Sequence, residues 1–138
     1  MGAFTTTRRG EFGDTDMAGI AHFSNFFRWM EAAECDLLRS VGLSVKMSWE
    51  GRTIGFPRVA AACDYLKPAR FQDLLEVVAA VERIGTKSVT YGFEFRRGGE
   101  VLARGKVTSA CCAVLGENEF QAMEIPPEYR AKIERYQT

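Results

Sequence analysis

Residues 23–41 read FSNFFRWMEAAECDLLRSV and carry the clearest hydrophobic periodicity of the chain. Apolar side chains recur there at three- and four-residue spacing, which is the pattern of one stripe along an α-helix. Gly42 follows the last apolar position, and Arg39 suits the negative end of the helix dipole. The stretch therefore predicts one long helix over residues 24–41.

The same spacing makes predictions about single side chains of this helix. Ser24 or Asn25 is expected to cap its N-terminus. Phe27 and Leu38 both lie on the apolar stripe, so we expect both deep in the core. Glu31 is expected either to form an ion pair along the helix or to support a site at its start.

On either side of the helix the hydrophobic period changes to two, which is typical of strands. Residues 3–12 alternate loosely and predict a first strand, whereas residues 43–53 read as a loop. Four further strands are predicted in the segments IGFPRVAAACDYL, LLEVVAAVERI, KSVTYGFEFRR and EVLARGKVTSACCAVL. A short helix over residues 127–135 ends the pattern. This order predicts an α+β protein in which an antiparallel five-stranded sheet wraps around one long central helix.

Composition limits the classes of function that the chain can have. Its 138 residues predict a single domain over residues 1–138, and 46% of them are hydrophobic, which is enough for a real core. Eighteen basic residues balance eighteen acidic ones, which argues against a nucleic-acid or anionic-membrane partner. No apolar run is long enough to span a bilayer, and the N-terminus does not resemble a signal peptide.

The cysteines indicate a reducing compartment rather than a metal site. No CxxC spacing occurs, and Cys111 and Cys112 are adjacent, so they would point to opposite faces of a strand. With one histidine and no cluster of ligands, we expect no metal. The four cysteines are predicted to be reduced and buried in a cytoplasmic protein.

The segment before the helix carries the polar residues that point to a function. Residues 13–33 read GDTDMAGIAHFSNFFRWMEAA and closely resemble the signature of the hotdog-fold acyl-CoA thioesterases of the 4-hydroxybenzoyl-CoA thioesterase family. The resemblance covers roughly residues 5–130. It implies the hotdog fold, acyl-CoA as the substrate and no cofactor besides the coenzyme A that the substrate carries. It also implies a homodimer, associating further to a homotetramer in some arrangements, with two active sites at the subunit interface.

Carried over residue by residue, the resemblance places the catalytic aspartate on Asp16 and the backbone N–H that binds the oxyanion on Phe23. Elementary chemistry selects the same positions. A helix N-terminus offers unpaired N–H groups for a developing oxyanion, and a nearby carboxylate is able to attack or to activate water. The alternative for Asp16 is a turn or capping aspartate.

The other polar residues of this segment have open roles. His22 is a candidate to polarise the substrate or orient water, although the family's catalytic histidine falls one position later, on Phe23; otherwise it lines or holds the loop. Gly19 is expected to allow close approach of the substrate, or simply to form a turn. Asn25 is expected to contact substrate or to hold the loop at the helix start. Asp14 is expected to be structural, and its charge would raise the proton affinity of Asp16.

Two groups of residues are candidates for binding the substrate itself. Phe26 and the other aromatic residues near the helix start suit an aromatic or short- to medium-chain acyl group, or belong only to the core. The resemblance places Lys87 where the coenzyme A phosphates bind, with Ser88 beside it as a further substrate-binding candidate, although Gly85 and Thr86 stand where the family has basic residues and Lys87 also fits a solvated hairpin turn. Further cations that could contact the nucleotide are Arg58, Arg83 and Arg104.

The leading hypothesis from the sequence is an acyl-CoA thioesterase. A second hypothesis within the same fold is an acyl-thioester hydratase or dehydratase, with Asp16 and His22 as base and acid. The sequence lacks the histidine- and proline-rich motif of the dehydratase branch. A third hypothesis is a non-catalytic dimer that binds an acyl thioester.

Overall fold

The computed structural model describes residues 2–138. In this part of the chain the first half holds β1 (Phe4–Arg9), α1 (Ser24–Ser40), β2 (Lys46–Trp49), β3 (Arg52–Gly55) and β4 (Arg58–Tyr65). The second half holds β5 (Leu74–Ile84), β6 (Ser88–Arg97), β7 (Glu100–Ala110), β8 (Cys112–Gly116), β9 (Glu119–Ala122) and α2 (Pro127–Ile133). Two single-turn 3₁₀ helices cover Phe12–Asp14 and Glu134–Tyr136. The α+β class predicted from the sequence is confirmed.

The larger sheet has five antiparallel strands in the order β1-β5-β6-β7-β4. Its inner face carries the alternating side chains that the sequence placed together on β6. Val89, Tyr91, Phe93 and Phe95 are all at most 4% exposed. α1 packs against this face, so the sheet and the helix share one hydrophobic core.

A second sheet, in the order β2-β3-β8-β9, was not predicted. The paired strands β4 and β7 run on into β3 and β8, but the pairing is interrupted at residues 56–57 and at Cys111. Pro57 lacks an N–H for the ladder, and its carbonyl instead accepts from the N–H of Ala110 at 3.0 Å. The predicted loop over residues 43–53 is therefore largely a β-hairpin, and one sheet around one helix is only part of the fold.

α1 begins and ends close to the predicted positions, but its buried face is rotated. Leu38 is 1% exposed, as predicted. The prediction for Phe27 was wrong: its side chain is only half-buried at the margin of the core, because Phe26 and Met30 face the sheet instead. The N-cap residue is Phe23, whose side chain accepts no hydrogen bond, and so the predicted caps Ser24 and Asn25 were also wrong.

One glycine sets the distance between helix and sheet. A Cβ atom built on Gly105 of β7 would lie 2.4 Å from the sulfur of Met30. With any larger residue at this position, the buried side chain of Met30 would have to shift.

Three smaller predictions concern the first strand, the cysteines and membrane-spanning segments. The first strand stops at Arg9, before a 3₁₀ turn, rather than at residue 12. Cys111 and Cys112 are buried as predicted, whereas Cys35 and Cys63 are half-buried. In residues 2–138 we find no helix with the length and apolar character needed to cross a bilayer.

A buried ion pair joins α1 to the edge of the larger sheet. Glu34 points into the core and is 1% exposed. Its Oε1 atom lies 2.7 Å from a guanidinium nitrogen of Arg58, the first residue of β4, and Arg58 also donates to the carbonyl of Phe56 at 2.8 Å. Burial raises the pKa of Glu34 to about 7, although the charge of Arg58 opposes the shift. Arg58 is thus engaged inside the fold rather than held out for a nucleotide.

Candidate active site

The loop before α1 is closed by its own hydrogen bonds. Asp14 and Glu11 form a capping box, in which Asp14 Oδ2 accepts from the N–H of Glu11 at 2.8 Å. A tight turn follows, because the N–H of Asp16 donates to Ile20 at 2.9 Å and that of Gly19 donates back to Asp16 at 3.0 Å. Gly19 has φ +80°, a conformation that favours glycine. The structural role of Asp14 is confirmed, and Gly19 is a turn residue here.

Asp16 presents a partly free carboxylate on this turn. Its Oδ1 atom accepts from the N–H of Ala18 at 2.8 Å. The other oxygen has no hydrogen-bond partner among residues 2–138, and the side chain is half-buried. A carboxylate held by one oxygen and open at the other is oriented and still able to act on a ligand.

Asp16 and the start of α1 face the same cleft of about 430 Å³. The opposite wall is formed by the end of β4 and the link that follows it. Ala21 donates its N–H to the carbonyl of Ala69 at 2.7 Å, which fixes the loop to this wall. The residues that line the cleft are Asp16, Ile20, Ala21, Phe23, Phe26, Tyr65, Leu66, Lys67, Pro68 and Ala69.

Phe23 stands at the N-cap position of α1 and supplies an open backbone donor. The N–H groups of His22 and Asn25 on either side are bonded, to the carbonyls of Asp14 and His22 at 2.7 and 2.9 Å. Within the described part of the chain, the N–H of Phe23 has no such partner. Its position at the positive end of a 17-residue helix suits a group that develops negative charge.

His22 lies beside the cleft and not in its wall. Its ring is exposed and stacks on the ring of Phe23, with centroids 4.7 Å apart. Nδ1 lies 2.8 Å from the hydroxyl of Ser24 and accepts from the N–H of Ser24 at 3.3 Å. Because Nδ1 is the acceptor, the proton of a neutral ring sits on Nε2. The structure shows the loop-holding role, and a catalytic role of His22 stays a prediction.

Asn25 and Phe26 occupy different positions at the helix start. Asn25 donates from its side chain to the carbonyl of Asp14 at 2.8 Å, which ties α1 to the loop. Contact of Asn25 with substrate stays a prediction. Phe26 is 3% exposed and forms part of the cleft wall, so it is both a core and a lining residue.

Lys87 and Ser88 are far from Asp16 within one chain. Lys87 lies in the turn before β6 and Ser88 is the first residue of that strand, whereas the Asp16 loop is fixed to the segment near the other end of the strand. Ten residues of β6 separate the two ends, which corresponds to about 30 Å. A single chain therefore does not bring these predicted substrate contacts to the cleft.

The remaining predicted cations do not converge on the cleft either. Arg104 pairs with Glu94 on the outer face of the sheet at 3.2 Å, and Arg83 does not line the cleft. Lys67 does line it, but its ammonium group pairs with Glu100. In residues 2–138 no three potential ligands cluster in a way that would hold a metal ion.

The sequence analysis missed the second wall of the cleft. Tyr65 donates its hydroxyl to the carbonyl of Phe23 at 3.0 Å. Its ring also packs edge-on against Phe26, with centroids 5.1 Å apart. The only sequence signal was an aromatic residue at the end of a strand, before the turn-forming KPAR segment. Nothing in the local sequence connects that segment to a helix forty residues earlier.

Comparison with known proteins gives a consistent result. The family model described as "Thioesterase superfamily" matches residues 18–104. A protein of Aquifex aeolicus is 33% identical over 113 residues, covering 80% of this chain and 84% of its own length. The 4-hydroxybenzoyl-CoA thioesterase of Pseudomonas sp. (strain CBS-3) is 27% identical over 136 residues, covering 92% and 94%.

A solved structure extends the likeness to the whole fold. A 1,4-dihydroxy-2-naphthoyl-CoA thioesterase from Synechocystis superposes with a TM-score of 0.82 at 26% identity, covering 96% of each chain. The family model alone spans more than half of the sequence. The chain therefore belongs to the thioesterase superfamily, as a thioester hydrolase with the hotdog fold.

Proposed function

We propose that the protein hydrolyses an acyl-CoA to the free acid and coenzyme A at the cleft between the Asp16 loop and Tyr65. The observation that carries this proposal is that one cleft is lined both by Asp16, whose carboxylate is half-free, and by Phe23, whose backbone N–H is unpaired among residues 2–138. Thioester hydrolysis requires both an attacking or base group and a donor for the oxyanion.

The proposed reaction follows from these two groups. The thioester carbonyl oxygen accepts a hydrogen bond from Phe23 N–H, which stabilises the negative charge that develops there. Asp16 either attacks the carbonyl carbon, forming an anhydride that water then hydrolyses, or takes a proton from the attacking water. In both routes the C–S bond breaks, the sulfur leaves as the coenzyme A thiolate and is protonated, and the acyl group leaves as the acid. No metal or redox cofactor takes part in this scheme.

We propose an aromatic acyl group as the preferred substrate, with short- and medium-chain acyl groups as the alternative. Rings from Phe23, Phe26 and Tyr65 line the cleft, next to the aliphatic side chain of Leu66. Flat acyl groups stack well against such walls. The relatives from Pseudomonas and Synechocystis are named for 4-hydroxybenzoyl-CoA and 1,4-dihydroxy-2-naphthoyl-CoA, both of which are aromatic thioesters.

A thiol-release assay tests the proposed function. The purified protein is incubated with benzoyl-, hexanoyl-, palmitoyl- and crotonyl-CoA while free thiol is followed, together with enoyl absorbance for crotonyl-CoA. Release of thiol, fastest with the aromatic substrate, is expected. A change in enoyl absorbance with crotonyl-CoA and no thiol release would instead support the hydratase, which needs a second acid or base. Saturable binding without either change would support the non-catalytic binder and overturn the proposal.

The protein is further proposed to act as a homodimer joined along β4. This strand is an edge of the five-stranded sheet, and its outer positions carry small or apolar side chains, with Val59 63% exposed. An open edge of this kind pairs readily with another strand, whereas the opposite edge, β1, carries Thr and Arg. A two-fold axis beside β4 would make β4 of the partner subunit run antiparallel to β4 of this subunit. It would therefore bring Lys87 of the partner subunit to the same end as Asp16.

Sedimentation velocity checks this assembly. At micromolar concentration we expect a species of at least twice the chain mass of 15.4 kDa. Val59→Asp places a charge on the exposed edge and should shift the protein towards monomer. Thr5→Asp on the edge strand β1 serves as the matched control and should leave the dimer intact. A compact monomer for the unsubstituted protein would contradict the proposal.

Further association to a homotetramer, a single domain over residues 1–138 and a cytoplasmic location stay predictions.

A further inference from the structure

The backbone N–H of Phe23 is the proposed oxyanion donor, but the side chain of Phe23 does not anchor this part of the backbone. The ring of Phe23 is 61% exposed, so burial of that side chain does not fix the backbone. An oxyanion donor stabilises charge only when its N–H is held at a defined position. The restraint must therefore come from the neighbouring backbone and from another element of the fold.

Hydrogen bonds hold the groups on both sides of the N–H of Phe23. At the helix start, the carbonyl of His22 accepts from the N–H of Asn25 at 2.9 Å, and the carbonyl of Phe23 accepts from the N–H of Phe26 at 3.3 Å. On the N-terminal side of Phe23, the N–H of His22 donates to the carbonyl of Asp14 at 2.7 Å. On its C-terminal side, the hydroxyl of Tyr65 donates to the carbonyl of Phe23 at 3.0 Å. Tyr65 contributes the one hydrogen bond from a side chain of the sheet to this residue, among the residues that the structure describes.

The backbone of Tyr65 is fixed by the sheet, and its side chain, although 44% exposed, keeps one face against the helix. Tyr65 is the last residue of β4 and pairs with Ala103, and the N–H groups of Leu66 and Lys67 both donate to the carbonyl of Leu102, at 2.8 and 3.0 Å. Its ring packs edge-on against Phe26. Partial burial, with Cys63 beside it, raises the pKa of Tyr65 to about 12, so the hydroxyl remains a donor at neutral pH.

We propose that Tyr65 is a positioning residue for the oxyanion donor: its hydroxyl holds the carbonyl of Phe23 so that the N–H of Phe23 stays directed into the cleft. This inference rests on the proposed function. It also gives β4 two tasks, since the strand that forms the exposed sheet edge ends in the side chain that fixes the active-site backbone.

Tyr65→Phe removes only the hydroxyl and keeps the ring against Phe26. Loss of a whole oxyanion donor lowers kcat by about 10²- to 10³-fold, and displacement of a retained donor should cost less, about 10-fold in kcat. KM should change by less than about 2-fold, because the walls of the cleft remain. The factor should be the same for benzoyl- and hexanoyl-CoA, since the effect acts on the carbonyl that all thioesters share.

Tyr136→Phe is the matched control, because the Tyr136 hydroxyl lies 2.9 Å from the Ser40 hydroxyl at the other end of α1. This substitution removes a tyrosine hydroxyl that contacts the same helix from another element, and it should leave kcat unchanged. Thermal unfolding of both variants separates loss of stability from loss of positioning. Assays are made well below the lower unfolding midpoint.

A second measurement does not depend on turnover. A difluoromethylene ketone analogue of benzoyl-CoA, with a CF2 group between the carbonyl and the sulfur, forms a hydrate that resembles the tetrahedral intermediate, whereas a benzyl thioether of coenzyme A lacks the carbonyl. Tyr65→Phe should weaken binding of the ketone by the factor lost in kcat and leave binding of the thioether unchanged. A merely structural tyrosine would affect both ligands alike.

The outcomes separate this inference from the proposed function. If the unsubstituted protein releases thiol from no acyl-CoA, both are overturned. If it is active and Tyr65→Phe retains its kcat and its affinity for the ketone, only the role of Tyr65 is overturned. A loss confined to KM, or to substrates that carry a ring hydroxyl, would show instead that Tyr65 binds the acyl group.

Discussion

Replacing Asp16 by Asn should lower kcat for acyl-CoA hydrolysis by at least about 10²-fold and change KM far less. The substituted side chain keeps its size, and its Oδ1 atom is still able to accept from the N–H of Ala18, which lies 2.8 Å away. It loses the negative charge and the basicity that attack or proton removal requires. The Phe23 N–H is unaffected, so substrate should still bind.

Asp14→Asn is the matched control for this experiment. Asp14 lies two residues away and accepts from the N–H of Glu11 within the loop. Weakening that capping box should cost more stability than the Asp16 substitution and less activity. A folded, dimeric Asp16→Asn protein with near-normal turnover would contradict the assignment, and the search would move to His22 or Glu31.

Helix α1 and its loop were predictable because their signals are local. The spacing of the apolar stripe predicted the C-terminal end of the helix to within one residue, and Gly42, with φ +78°, follows that end as expected. The orientation of the stripe was less certain, because Phe26 and Phe27 are adjacent and equally apolar. Only the packed sheet decides that Phe26 faces the core.

The cleft wall and the second sheet depend on contacts between distant parts of the chain. Tyr65 meets Phe23 across 42 residues of sequence, and the hairpin of β2 and β3 is stabilised by pairing with β8, some sixty residues later. The hydrophobic periodicity of a segment predicts its secondary structure but not the distant segment with which it pairs. The sequence resemblance could select Asp16 and Phe23 as candidates, because there the spacing itself is the signal, and both line the cleft.

Glu34 was missed for a related reason. A charged residue within a helix is normally read as part of its solvated face, since carboxylates are rarely buried without a partner. Its partner Arg58 lies 24 residues away on the edge strand. Because the pair is buried, the pKa of its carboxyl group is raised, whereas that of Asp36, which forms surface ion pairs on the same helix, is lowered.

The folded protein should lose stability as pH rises from about 5 to about 8, and Glu34 should be the cause. The pKa of Glu34 is raised from its ordinary value of 4.5 to about 7, mainly by burial; Arg58 lowers it and Glu31 raises it. A group whose pKa is higher in the folded state binds protons more tightly there. Its contribution is therefore fully present below pH 4.5 and is lost as pH rises towards 7.

The size of this loss follows from the two pKa values. A difference of about 2.5 units corresponds to about 3 kcal/mol in the free energy of unfolding. Glu34→Gln removes the titration and keeps the shape, so its free energy of unfolding should stay nearly constant across this range. Urea denaturation at pH 5, 6.5 and 8 measures the difference directly.

Asp36→Asn is the matched control on the same helix. Asp36 is more exposed and pairs with Arg8 and Arg39 at 2.9 and 2.8 Å. Partial burial raises the pKa of Asp36, but the hydrogen bonds from Arg39, Arg8 and Thr6 lower it by more, so that the net shift is downward. The contribution of Asp36 to the free energy of unfolding is therefore lost only in more acidic solution. Asp36→Asn should therefore retain the loss of stability between pH 5 and 8.

Arg58→Leu completes the argument by removing the cation and leaving the buried carboxyl. At pH 8 Glu34 must then either stay charged without a partner or take up a proton, and breaking such a pair costs about 3–5 kcal/mol. At pH 5 Glu34 is already protonated in the unsubstituted protein, so the same substitution should cost much less. Equal destabilisation at both pH values would mean that Arg58 acts only through packing and its bond to Phe56. If the free energy of unfolding of the unsubstituted protein did not change between pH 5 and 8, Glu34 would have to be charged throughout this range.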